Sequence, residues 1–152
     1  MPAAYQSRLT MTNRRGVNWP MEDRPWTPGK ARERVLAQLR EWGYTADEAM
    51  VGDLVTTLVG QAVQDTRARI SVHMSPKGDQ ILVVVLSHQS GRPAADEATV
   101  RGLAGHRAVV SCGVETSTEG PSLWAVMDLN RPRPSATATR RETLGSALRR
   151  AL

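Results

Sequence analysis

The hydrophobic period of this chain changes from 3.6 to 2 between residues 63 and 70, and that change restricts its fold more than any other feature. Thr45-Ala46-Asp47-Glu48 reads as a T-x-x-E capping box. Behind it Val51, Leu54, Val55, Leu58, Val59, Ala62 and Val63 fall on one helical stripe. An earlier stripe of Ala31, Val35, Leu36, Leu39 and Trp42 follows Thr27-Pro28, an N-cap hydroxyl with proline at the first helical position, and Gly43 stops it. From residue 69 the pattern alternates: Ile70, Val72 and Met74 against Arg69, Ser71 and His73. Residues 75–79 read as a turn, and residues 81–86 are continuously apolar and rich in valine, so they predict a central strand buried on both faces.

The rest is read in the same way. Residues 88–96 are a loop, and Asp96 or Glu97 opens a helix reaching about Ala108. Residues 109–116 fit a helix end or a strand. Residues 116–121 form a turn, and residues 123–129 a last strand. In that strand Trp124 and Val126 share one face, and Leu123, Ala125 and Met127 the other. Residues 1–26 read mostly as a tail, with Gly16-Val17-Asn18-Trp19 as a short edge strand ended by Pro20. The order is helix, helix, strand, strand, helix, strand, strand. It predicts an α+β, two-layer sandwich: a mixed, mostly antiparallel sheet with helices on one face. Residues 27–129 make the domain, and residues 130–152 are a basic linker with an amphipathic C-terminal helix carrying Leu144, Ala147, Leu148, Ala151 and Leu152.

Charge follows the same division. The chain of 152 residues has a formal net charge of +5. Residues 27–129 hold ten basic and twelve acidic side chains, whereas residues 130–152 hold six arginines against Glu142. The basicity therefore belongs to the ends, and nucleic acid is not the expected partner of the domain. One cysteine, Cys112, excludes an internal disulfide framework, and its apolar setting reads as an inert buried thiol. His73, His88 and His106 lack metal-ligand spacing, and no Ser-His-Asp or Cys-His constellation can be assembled from the sequence alone. Residues 1–10 lack a signal pattern and no run of eighteen apolar residues occurs, so a cytoplasmic protein without a membrane span is expected.

Several segments resemble one family. They are Ala31-Arg32-Glu33-Arg34-Val35-Leu36, residues 53–63 (DLVTTLVGQAV), the hairpin, Arg101-Gly102-Leu103-Ala104 and the late Trp124-Ala125. Over residues 27–129 the chain is similar to the anti-sigma-factor serine-kinase branch of the GHKL ATPases, in particular to short actinomycete regulators. The resemblance implies an ATP pocket whose usual residues have been replaced. Thr57 stands where the family has its general-base Glu, and Gln61 where it has the Mg²⁺-holding Asn. Ser87 stands where an Asp bonds the adenine amino group. Arg101 and Gly102 keep part of a phosphate-binding helix start, with Val100 in place of another Gly.

The chemistry of these replacements is weak for catalysis. A threonine hydroxyl cannot serve unaided as a base near neutrality. Gln61 is one methylene too long for strict Mg²⁺ geometry, and Asp53 could substitute only from one turn earlier. The expected cofactor is therefore none, with ATP and Mg²⁺ as the alternative. The expected function is regulatory protein binding without ATP turnover, to a sigma factor or an anti-sigma-factor antagonist, with a second copy of the chain as a further partner. The alternatives are an active ATP-binding serine-protein kinase or ATPase, and a nucleic-acid-binding accessory acting through residues 130–152.

Overall fold

The computed structural model describes residues 16–64 and 67–129. Its elements run β1 (Val17–Glu22), α1 (Thr27–Glu41), α2 (Glu48–Ala62), β2 (Arg69–Lys77), β3 (Gln80–Ser87), α3 (Glu97–Ala104), β4 (Val109–Ser117) and β5 (Gly120–Asp128). The strands form one five-stranded sheet in the order β1-β2-β3-β5-β4. Every pairing in it is antiparallel. The architecture is the expected α+β sandwich, and its mostly antiparallel sheet is antiparallel throughout the described residues. The expected C-terminal amphipathic helix and most of the expected N-terminal tail fall outside them.

Side-chain alternation decides which face carries the core. Ile70, Val72 and Met74 of β2, Ile81, Val83 and Val85 of β3, and Leu123, Ala125 and Met127 of β5 are all buried. They join Ala31, Val35, Leu36 and Leu39 of α1, the stripe of α2, and Leu103 of α3 in one hydrophobic cluster. The helices thus share one face of the sheet. Leu39, Leu54 and Leu58 are among its largest fully buried side chains. Burying a side chain of this size stabilises by about 1.5–3 kcal/mol.

Local signals behave as their chemistry requires, with some corrections. α2 is capped by Asp47, whose carboxylate accepts from Met50 N–H at 3.2 Å, so Thr45 is not the cap. A carboxylate one residue from the first turn is the better acceptor there. Thr27 is the first residue of α1 and not its cap; its hydroxyl donates to Glu22 O and accepts from Arg24 N–H. That bond fastens the helix start to the end of β1. Asp96 caps α3 through Thr99 N–H at 2.9 Å, as expected, but α3 ends at Ala104, with Gly105 at the C-cap. Residues 109–116 are strand. Half-buried Cys112 packs against the core, its thiol 3.5 Å from Val100 O; burial pushes its pKa up.

Three prolines sit inside strands, at places where a ladder bond is not needed. Pro20 lies in β1, an edge strand that continues to Glu22. Pro76 of β2 lies past the last β1 partner, Val17↔Met74, so the turn expected at 75–79 shrinks to Gly78-Asp79. Gly78 takes φ +63°, as a two-residue hairpin turn demands. Pro121 of β5 lies just beyond the last β3 partner, Leu86↔Ser122.

Candidate functional site

A cleft lies where the C-terminus of α2 meets the ends of β3 and β5 and the connection into α3. Its volume is about 380 Å³, near the low end for small-molecule sites. Gln61 of α2 and Ser87 of β3 line it, together with Arg92, Ala95, Asp96 and Thr99. The structure therefore brings two of the five sequence-derived candidates, Gln61 and Ser87, to one place.

Arg92 dominates the cleft electrostatically. Its guanidinium donates to Ala62 O at 2.9 Å, to Ser87 Oγ at 3.2 Å and to Gln61 O at 3.4 Å. The last carbonyls of a helix lack intrahelical partners, and a cation at that end also meets the negative pole of the helix dipole. Arg92 thus caps α2 from outside the helix. The sequence signal was slight: Gly91, at φ +85°, turns the loop so that the next residue points inward. Sequence reasoning missed this residue, and missed Asp96 and Thr99 as cleft residues.

The other three candidates lie elsewhere. Thr57 is exposed on α2, and its hydroxyl donates to Asp53 O at 2.9 Å within its own helix. Arg101 is exposed, 3.5 Å from Glu97 one turn earlier. Gly102 is exposed, with open space where a side chain would stand. None of the three lines the cleft. At the start of α3, the Asp96 carboxylate already takes Thr99 N–H, and that bond lowers its pKa. A fixed negative charge there opposes an incoming phosphate.

Asp53, the residue weighed as a substitute acid, has a different partner. His106 Nε2 lies 3.0 Å from Asp53 Oδ2, while His106 Nδ1 accepts from Ala108 N–H at 3.1 Å. With Nδ1 accepting from Ala108, Nε2–H is the donor to the carboxylate. The bond ties α2 to the connection between α3 and β4.

The remaining histidines lie on or beside the face of the sheet away from the helices. His73 pairs across the ladder with Asn18 and with Val84, and burial lowers its pKa. His88 follows β3; its Nε2 is 2.6 Å from Ser71 Oγ, and its Nδ1 is 3.8 Å from Glu119 Oε2. Sequence reasoning did not assemble this group, because its members come from three different segments.

Among the described residues no group of three or more His, Cys, Asp or Glu side chains could hold a metal ion. No described helix is long and apolar enough to cross a membrane. Comparison of the sequence with protein-family models and with curated proteins gives no match.

Proposed function

We propose that the protein is a regulatory protein-binding module, resembling an anti-sigma factor, that has lost ATP turnover. The observation that carries this reading is Arg92 laid across the cleft. Where the resemblance puts an adenine-bonding carboxylate, this chain has the Ser87 hydroxyl, already accepting from a guanidinium. An adenine amino group is a donor, and it would face a second donor there. The engaged Asp96 carboxylate and the distant Thr57 support the same reading. A module of this kind keeps its grip on a sigma factor or an antagonist but is not switched by nucleotide, so its output follows partner concentration.

The test has two arms. Mg-ATP is titrated to millimolar concentration while tryptophan fluorescence and melting temperature are followed. No shift is expected, since any ligand of the folded state must raise apparent stability. ATP turnover that is lost in Gln61→Ala would overturn the proposal in favour of the enzyme. In parallel, calorimetry against purified sigma factors and their antagonists is expected to show a complex that forms without nucleotide.

A further inference from the structure

Ser71, His88 and Glu119 make a line of nucleophile, base and carboxylate on chain segments far apart in sequence. We propose that Ser71, activated by His88, is a nucleophile that accepts an acyl group from short, uncharged carboxylic esters. The inference is independent of the nucleotide question, because none of the three residues lines the cleft around Arg92.

Each member is placed by the fold. Ser71 stands on β2, on the face turned away from the helices, between Pro20 of β1 and Leu86 of β3. His88 is the first residue after β3, and its N–H is bonded to Arg69 O at 2.9 Å, which sets the ring beside β2. Glu119 sits in the two-residue turn between β4 and β5. Gly120 brings that turn in: at φ +142°, its added Cβ would lie 1.9 Å from Ser87 O and 2.9 Å from Gln89 N. Only glycine lets the two backbones approach so closely.

The geometry divides the roles. Ser71 Oγ at 2.6 Å from His88 Nε2 is within the range required of a nucleophile and its base. Nδ1 faces the Glu119 carboxylate at 3.8 Å, beyond a direct hydrogen bond but on the side of the ring opposite Ser71. The ring is shielded yet reachable, with its side chain 20 % exposed, while Glu119 is 63 % exposed. Glu119 is accordingly a positioning residue. Side chains paired across an antiparallel ladder share a face with Cβ atoms about 4.5–5.5 Å apart. Leu86 and Pro20 therefore form apolar walls on either side of Ser71, suited to an aliphatic acyl chain.

In the step proposed, Ser71 Oγ forms a bond to the ester carbonyl carbon and its proton passes to His88 Nε2. The bond from that carbon to the alcohol oxygen breaks, and the leaving alkoxide takes the proton from His88. Water then attacks the acyl-serine, His88 accepts its proton and returns it to Ser71 Oγ, and the carboxylic acid leaves.

The experiment uses the full chain with a fluorophosphonate probe and with p-nitrophenyl butyrate, read by intact mass and peptide mapping. One adduct at Ser71 is expected, lost in Ser71→Ala. His88→Gln should slow it by about 100-fold, the scale of a general base, and Glu119→Gln by several-fold. As a check independent of the serine, the thiol of Ser71→Cys should be alkylated by iodoacetamide faster than Cys112, and His88→Gln should remove that advantage. Melting curves confirm that each variant is folded. An unmodified wild-type chain, labelling that survives Ser71→Ala, or equal rates with and without His88 would overturn the proposal.

Discussion

The two faces of the sheet carry different kinds of residue. On the helix side the central register rows are apolar, Val72 beside Val85 and Leu123 and Met74 beside Val83 and Ala125, and a hydroxyl enters only at the end of β3, where Ser87 stands beside Ile70. On the other side apolar and polar residues share rows, as in His73 beside Val84 and Trp124, or Ser71 beside Leu86 and Ser122. Trp124 lies over Gly113 of β4, where an added Cβ would come within 2.9 Å of the indole. The comparison separates two tasks. The dry face supplies cohesion, which needs apolar area and nothing else. The mixed face supplies hydroxyl, imidazole and carboxylate groups held on a rigid ladder, where chemistry or recognition can be built.

That contrast can be broken at its strongest point first. Leu58→Ala on the dry face should cost about 2–5 kcal/mol, the range for a buried leucine that leaves a cavity, read as a lower denaturant midpoint. Gly120→Ala attacks the place where the β4–β5 turn closes on the end of β3. It should cost about 1–3 kcal/mol of backbone strain, besides the clash with Ser87 O. A melting temperature equal to wild type would show that the close approach is dispensable. Asp47→Ala should cost about 1 kcal/mol by removing the α2 cap, measured by urea unfolding.

The mixed face offers the gentler tests. Ser75 is 2 % exposed on that face, and its Oγ has no hydrogen-bond partner among the described residues. Ser75→Ala should therefore be neutral or stabilising by about 1 kcal/mol, since it removes an unsatisfied group. A clear loss of stability would reveal a partner for that hydroxyl. His73 gives a pH signature. Its pKa is lowered in the folded state, so below the unfolded value of about 6.5 the unfolded chain binds the proton first. Stability should fall as pH drops below that point, and His73→Gln should flatten the fall. The carboxylates whose pKa values are lowered, Glu48 and Asp96, lose their contribution only at more acid pH.

How much was legible depends on the range of the interaction. The α2 stripe and the change to period 2 at Arg69 are local, so they placed the helices and the β2–β3 hairpin. Residues 109–116 were ambiguous, because their strand state depends on pairing with β5, which comes later in the chain. The cap of α2 falls two residues after Thr45, because Thr45 and Asp47 both satisfy local rules and only Asp47 reaches Met50 N–H. Gln61 and Ser87 line one cleft. Thr57 does not, because its helical position turns it outward beside Asp53. Arg92 left almost no local trace: its role depends on carbonyls at the end of a helix about thirty residues earlier.

By itself the sequence determined the helices, the alternation of the strands and the α+β class, because hydrophobic period is a property of neighbours along the chain. Tertiary structure alone decided that Arg92 caps α2 inside the cleft, that His106 bonds Asp53, and that Ser71, His88 and Glu119 fall into line. Those contacts join segments distant in sequence, and no spacing rule records which loop end will meet which strand once the sheet has closed.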